Sequence, residues 1–179
     1  MTDAARAEDF DLLAFRRCLG QFPTGVCVIT ARVGDELLGM TVSSFNTLSL
    51  EPPLVLFSIG RNARSLDQWR EADAMAINVL SESQTELSNR FAGSRGNKWE
   101  GVTWRPGGNG APVLPGAAAV LECAPHDRAD GGDHELFIVR VQSFRNHPSR
   151  PPLVFCQGGY NRLQSSGESA AIWPLDIHY

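Results

Sequence analysis

Seven short blocks dominate this chain, and nothing long and helical separates them. "GVCVITARV" (25–33), "LLGMTV" (37–42), "PLVLFSI" (53–59), "AMAINVL" (74–80), "AAAVLECA" (117–124), "ELFIVRVQSF" (135–144) and "PLVFCQ" (152–157) are of strand length and rich in apolar residues. Strands that follow strands cannot be packed as a doubly wound parallel sheet, which needs a helix in every crossover. Six or seven strands in this order predict a mainly β chain, a barrel or sandwich with a few short helices. Gly34-Asp35 is the turn between the first two blocks. "PLVLFSI" is apolar at nearly every position, so it is expected to be a central strand with both faces covered.

The helical signals are brief. Leu12, Phe15, Leu19 and Phe22 recur at helical spacing after a cap at Asp9 or Asp11, and Pro23-Thr24-Gly25 ends that run. Residues 62–73 carry Leu66 and Trp69 at helical spacing. "SQTE" (83–86) has the capping-box pattern and starts a short helix with Leu87 and Phe91 one turn apart. Residues 93–116 read as a long loop anchored by Trp99 and Trp104. No repeat or linker divides the chain. A single domain over 1–179 is expected, with its core at about 15–160 and a weakly patterned tail at 161–179.

At 179 residues and 42% hydrophobic, the chain can enclose a sizeable core. A net charge of -4 argues against a nucleic-acid partner. No apolar run approaches the roughly 18–20 residues that span a bilayer, so no membrane partner is expected. The polar, acidic start "MTDAARAEDFD" has no signal core, which predicts a cytoplasmic protein. Cys18, Cys27, Cys123 and Cys156 form no C-x-x-C pair, and the four histidines are scattered. Buried free thiols and no metal site are expected.

Beside the third block lies a polar run, Thr41-Val42-Ser43-Ser44-Phe45-Asn46. Hydroxyl, amide and backbone N–H groups at a strand end can present fixed donors to a flat polar ring without adding charge. Equally, Ser, Thr and Asn end strands and begin turns. Neither nucleotide-phosphate signature is present, neither G-x-G-x-x-G opening a helix nor G-x-x-x-x-G-K-[ST]. "SIGRNARS" (58–65) places Ser58, Arg64 and Ser65 near a predicted helix start, where an anion finds unpaired N–H groups and a guanidinium fork. A plain helix cap with solvated arginines is the other reading. In "DGGDHE" (130–135) two glycines allow a turn that aims Asp133 and His134 away from the sheet.

"FPTGVCVIT" (22–30), "GMTVSSFNTLSLEPPLVLFSI" (39–59), "RFAG" (90–93), "GGDHELFIVRV" (131–141) and "PLVFCQGGY" (152–160) occur together, in this order and spacing. In that arrangement the chain resembles the short-chain flavin reductases, the small components of two-component flavin-dependent monooxygenases. The likeness runs from about Phe15 to Tyr160. It implies a split β-barrel homodimer that binds FMN or FAD, reduces it with NADH or NADPH, and releases reduced flavin to a separate flavin-dependent monooxygenase. It places Thr41, Val42, Ser43, Ser44, Phe45 and Asn46 along the flavin ring and ribityl chain. Arg64, Ser65 and Ser58 then serve the phosphate, with Lys98 as a second candidate cation. The Asp133–His134 pair borders the nicotinamide pocket, and Tyr160 and Phe91 are candidates to wall the rings, or else to plug the barrel end and fill the core. No acid, base or nucleophile is required, because the cofactors carry the hydride chemistry. The chain departs from the pattern at Val139, where family members commonly carry Gly. Two other readings share the barrel, a non-catalytic flavin-binding or storage protein and an oxidase of the pyridoxamine-phosphate type. The latter calls for more basic residues than 61–64 supply.

Overall fold

The computed structural model describes residues 10–93 and 96–163. The predicted tail beyond Leu163 and the alternative cap Asp9 lie outside the described residues. Helix α1 (Leu12–Leu19) starts at Asp11, whose Oδ1 accepts from the backbone N–H of Leu13 and Ala14 at 2.9 and 3.0 Å. Next come β1 (Thr24–Gly25), β2 (Cys27–Val33), β3 (Glu36–Val42), β4 (Asn46–Leu50) and β5 (Pro53–Gly60). Helix α2 (Leu66–Glu71), β6 (Met75–Val79), a 3-10 turn (Glu82–Gln84) and helix α3 (Thr85–Ala92) follow. The remaining strands are β7 (Arg105–Pro106), β8 (Pro112–Val113), β9 (Ala119–Gly131), β10 (His134–Asn146), β11 (Val154–Cys156) and β12 (Gly159–Asn161).

Seven strands form one antiparallel sheet in the order β3-β2-β6-β9-β10-β5-β4. Its hydrogen-bonded ladder is open: no rung joins β3 to β4 among the described residues. Gly34 takes φ +58 in the two-residue turn from β2 to β3, a conformation open to glycine at no steric cost. Small sheets β1-β11-β12 and β7-β8 pack outside.

Alternation along the strands builds the core. Ile29, Phe57, Met75, Ile77, Phe137 and Val139 meet Leu66 and Trp69 of α2 in one buried cluster on the inner face. Phe57 and Phe137, paired across β5 and β10, stack with ring centroids 5.3 Å apart. On the outer side of β2, Val28 joins Leu80, Phe91, Leu114 and Leu153 in a second cluster. Strands β2 and β6 are therefore the ones buried on both faces. That corrects the expectation for β5, which lies next to the edge: Val55, Phe57 and Ile59 point inward while Leu54, Leu56 and Ser58 are half-exposed. An apolar run alone does not reveal which strands flank it.

Two helical expectations shift as well. The segment predicted over 62–73 is helical only at Leu66–Glu71. The capping box sits two residues earlier than "SQTE", on Ser81 and Gln84, where the Gln84 side chain accepts from the Ser81 backbone N–H at 3.0 Å. All four thiols are free, but only Cys27 and Cys123 are buried, and burial pushes both up to about 12; Cys18 is exposed and Cys156 half-buried.

Candidate functional site

The polar run lies where the chain leaves β3 for β4. Strands β4 and β5 pair through Asn46 and Leu56, so the next rung would fall between Ser44 and Ser58. A side chain makes it instead. Ser44 Oγ accepts from the Ser58 backbone N–H at 3.0 Å and donates to the Ser58 carbonyl at 3.3 Å. Because the hydroxyl does this work, the backbone of 43–45 is released from the ladder. Among the described residues, the N–H groups of Ser43, Ser44 and Phe45 donate no hydrogen bond. Three successive donors without protein acceptors, on a segment open to solvent at Ser43 and Asn46, are costly to leave idle unless water or a ligand meets them.

Two residues beyond Ser58 on the same face is Gly60, paired with His134. A Cβ at Gly60 would stand 3.0 Å from Asn62 Oδ1 and 3.7 Å from His134 Nε2, so glycine keeps that floor low. His134 Nδ1 lies 2.7 Å from Asp133 Oδ1, which orients the ring and leaves Nε2 over Gly60. The His134 hydrogen bond holds the Asp133 carboxyl below its ordinary value, and the positive charge of Arg16 on α1 adds to the effect. Asp133 is tied to the platform too, its carbonyl accepting from Arg61 N–H at 2.9 Å. Ser44, Ser58, Gly60 and His134 thus share one end of the outer face of β5 and β10, with successive outward positions about 7 Å apart.

The other expected residues fall into a second group, around α3. Thr41 Oγ1 donates to the Ser88 carbonyl at 2.7 Å, and Ser88 Oγ meets Tyr160 OH at 2.8 Å. Tyr160 OH also donates to Asn89 Oδ1 at 2.9 Å, and its ring packs edge-on against Phe155. That is the plug reading of Tyr160, not a free stacking ring. Phe91 is wholly buried, filling the space that Gly39 leaves open; a Cβ at Gly39 would stand 2.2 Å from Phe91 Cε1. The expectation that Phe91 walls the cofactor is therefore corrected: it has no surface to offer. Lys98 is half-buried, its Nζ donating to the carbonyls of Phe91 and Gly39 at 2.9 and 3.3 Å, which leaves one N–H for another acceptor. Burial lowers its pKa. Val42 points into the main core and can offer a ligand only its backbone, whereas Phe45 is half-buried against that core. Val139 is an inward core residue and does not narrow the outer crevice.

Arg64 is exposed and takes part in no ion pair among the described residues; Ser65 precedes α2 without a side-chain cap bond. Gly60, Asn62 and Arg16 were not foreseen. Only the pairing of β5 with β10 brings the first two to His134, and Arg16 arrives from a helix more than a hundred residues away in sequence. A cavity of about 780 Å³ lies elsewhere, on the inner side between α2 and β9. Its Glu135 carboxylate is held by Arg70 at 2.5 Å, with Arg128 and Arg61 at 3.6 and 3.8 Å.

Residues 19–164 match the family model described as flavin reductase like domain. The chain belongs to that family. It is 37% identical over 169 residues to the reductase subunit HsaB of a flavin-dependent monooxygenase from Mycobacterium tuberculosis, covering 93% of this chain and 90% of that one. It is 37% identical to the reductase component of 4-hydroxyphenylacetate 3-monooxygenase from Thermus thermophilus, over 90% of this chain and 97% of the relative. Among solved structures, the NADH:FAD oxidoreductase SgcE6 of Streptomyces globisporus, in complex with NAD and FAD fragments, aligns with TM-score 0.84 at 36% identity. That alignment covers 88% of this chain and 96% of the other. Nitrilotriacetate monooxygenase component B from Mycobacterium thermoresistibile aligns with TM-score 0.86 at 36% identity, over 93% and 94% of the two chains.

Proposed function

We infer that this flavin reductase-family chain is an NAD(P)H:flavin oxidoreductase that reduces FMN or FAD and supplies the reduced flavin to a separate monooxygenase. The observation that carries the placement of its site is the run of unpaired N–H groups at 43–45 beside the Ser44–Ser58 clamp. In this reading the flavin's carbonyl and N5 acceptors meet that run, with Ser43 and Asn46 supplying further polar contacts. Arg64, with Ser65 beside it, binds the flavin phosphate, a role its unpaired guanidinium suits. His134 Nε2 faces the nicotinamide side and positions the dinucleotide, with Asp133 fixing the ring. When bound, the two cofactors supply the hydride donor and acceptor; the chain holds them face to face at about 3–3.5 Å, keeps water out and moves no proton itself. A site built of backbone donors and one cation also lets the flavin go, as a donor of diffusible reduced flavin must.

The sheet closes in this reading as a split barrel. Its edges, β3 and β4, would stand about 29 Å apart across six flat strand spacings. Only residues 43–45 join them, a reach of about 15 Å between Val42 and Asn46, and a sheet that curls toward closure suits that short connection. We also propose a homodimer. None of the residues of α1 is buried, Phe10, Leu12, Leu13, Phe15 and Phe22 are exposed, and edge strand β4 shows Leu48 and Leu50 to solvent. Sedimentation giving a monomer at micromolar concentration would contradict it.

The enzyme assignment is tested by following nicotinamide absorbance anaerobically with FMN or FAD and with NADH or NADPH. Stoichiometric loss of the absorbance is expected for at least one pair, and none for any pair would refute the assignment. His134→Ala should slow dinucleotide oxidation while flavin binding stays; an unchanged rate would remove His134 from the site.

A further inference from the structure

A dinucleotide brings two phosphates as well as a nicotinamide, and the guanidinium beside His134, that of Arg61, is already engaged by the Gly132 carbonyl, Asp130 and Glu135. Other cations stand on α1. Arg16 and Arg17, in the last turn of α1, line a cavity of about 490 Å³ whose other walls are Gly20, Gln21, Gln157 and Gly158. Among the described residues, no acidic side chain lines it. Neither guanidinium makes a hydrogen bond or ion pair among the described residues. The walls are also fixed. Gln157 N–H donates to the Gly20 carbonyl at 2.8 Å and its side chain donates to Gln21 Oε1 at 2.9 Å, which docks the end of α1 on the turn between β11 and β12. In that turn Gln157 and Gly158 take φ +53 and +79, a tight reversal that keeps backbone rather than bulk at the cavity's edge.

We propose that Arg16 and Arg17 form the subsite for the pyrophosphate and adenylate half of the nicotinamide dinucleotide. This rests on the flavin reductase reading and extends it from the nicotinamide end to the rest of the cosubstrate. The charge of Arg16 also reaches the carboxyl of Asp133, the orienting partner of His134, and helps to hold it down, which sets one cation of the cavity near the nicotinamide side. Two unpaired guanidiniums in a cavity without carboxylates favour a phosphate by charge and by paired N–H donors. The flavin phosphate has its own cation in Arg64, so the two anions need not compete.

The test separates the two halves of the cosubstrate. Steady-state oxidation at saturating flavin is measured with NADH and with reduced nicotinamide riboside, which lacks both phosphates and the adenosine. Arg16→Gln and Arg17→Gln should each raise the KM for NADH by about tenfold, the size of one charge-assisted hydrogen bond, with kcat within about twofold. The KM for the riboside should stay at the wild-type value. Calorimetry with ADP-ribose, which needs no turnover, should show saturable binding to the wild type and about tenfold weaker binding to each variant. An unchanged NADH KM in both variants, an equal rise for the riboside, or ADP-ribose binding indifferent to both substitutions would overturn the subsite. ADP-ribose binding without any flavin reduction would keep the subsite and sink the reductase reading instead.

Discussion

His134 and Glu135 are neighbours on β10 and face opposite sides of one sheet, and their surroundings could hardly differ more. Glu135 points inward, almost out of water, and three guanidiniums converge on it. Arg70 does most to hold its carboxyl below the ordinary value, against the opposing effect of burial. His134 points outward over a glycine, with one ring nitrogen engaged and the other open. The same division separates Phe137, stacked in the core, from Ser43–Phe45, whose amides donate to nothing. On the inner face the charged groups find partners, although the buried Trp69 Nε1 has none among the described residues. On the outer face the leftover donors of 43–45 are the candidate ligand contacts.

If that division is right, inner-face substitutions should damage stability and outer-face ones should damage binding. The largest effect is expected from Phe137→Ala, which empties a stacked, fully buried site and should cost about 3–5 kcal/mol in chemical denaturation. Any active protein that remains should keep its flavin affinity. Glu135→Gln sharpens the contrast through pH. A folded carboxyl held below its ordinary 4.5 adds stability that is complete above that value and fades as pH falls through the lowered one. The variant should therefore be less stable than wild type at neutral pH, with the gap closing below about pH 4.5 in acid-denaturation profiles. On the other face, His134→Ala should raise the dinucleotide KM about tenfold and leave the unfolding midpoint within error. Smallest is Ser44→Ala, which strands the Ser58 N–H at a half-exposed position. It should cost about 1 kcal/mol of stability and weaken flavin a few-fold, the one substitution to touch both faces of the comparison.

How far the residues alone revealed this varies with range. Strand blocks, the Gly34 turn and an acidic cap at Asp9 or Asp11 were legible because propensity and turn chemistry are local. That β2 rather than β5 is buried on both sides was not, since it depends on helices and loops far along the chain that cover it. The capping box moved because the turn before α3 begins with 3-10 geometry, which the spacing of Ser and Glu does not encode. Within the candidate site, the segment 41–46 and His134 were marked by motif. The division of labour inside the segment was not. Thr41 braces α3, Val42 fills the core, and Ser44 replaces a rung of the ladder, and each role follows from register. Phe91 misled because a helical stripe looks the same whether it serves a ligand or, as here, the packing under Gly39. Arg16 carried no signal at all, because its relation to Asp133 exists only in three dimensions.

Amide hydrogen exchange on the whole protein, with and without saturating FMN or FAD, tests the central claim most directly. Exchange at Ser43, Ser44 and Phe45 should be fast in the free protein and slowed by at least about tenfold when flavin is added, while the amides of α3 change little. Flavin that binds yet leaves those three exchanging as before would show that the unpaired donors of the β3–β4 crossing are not where the ring lies.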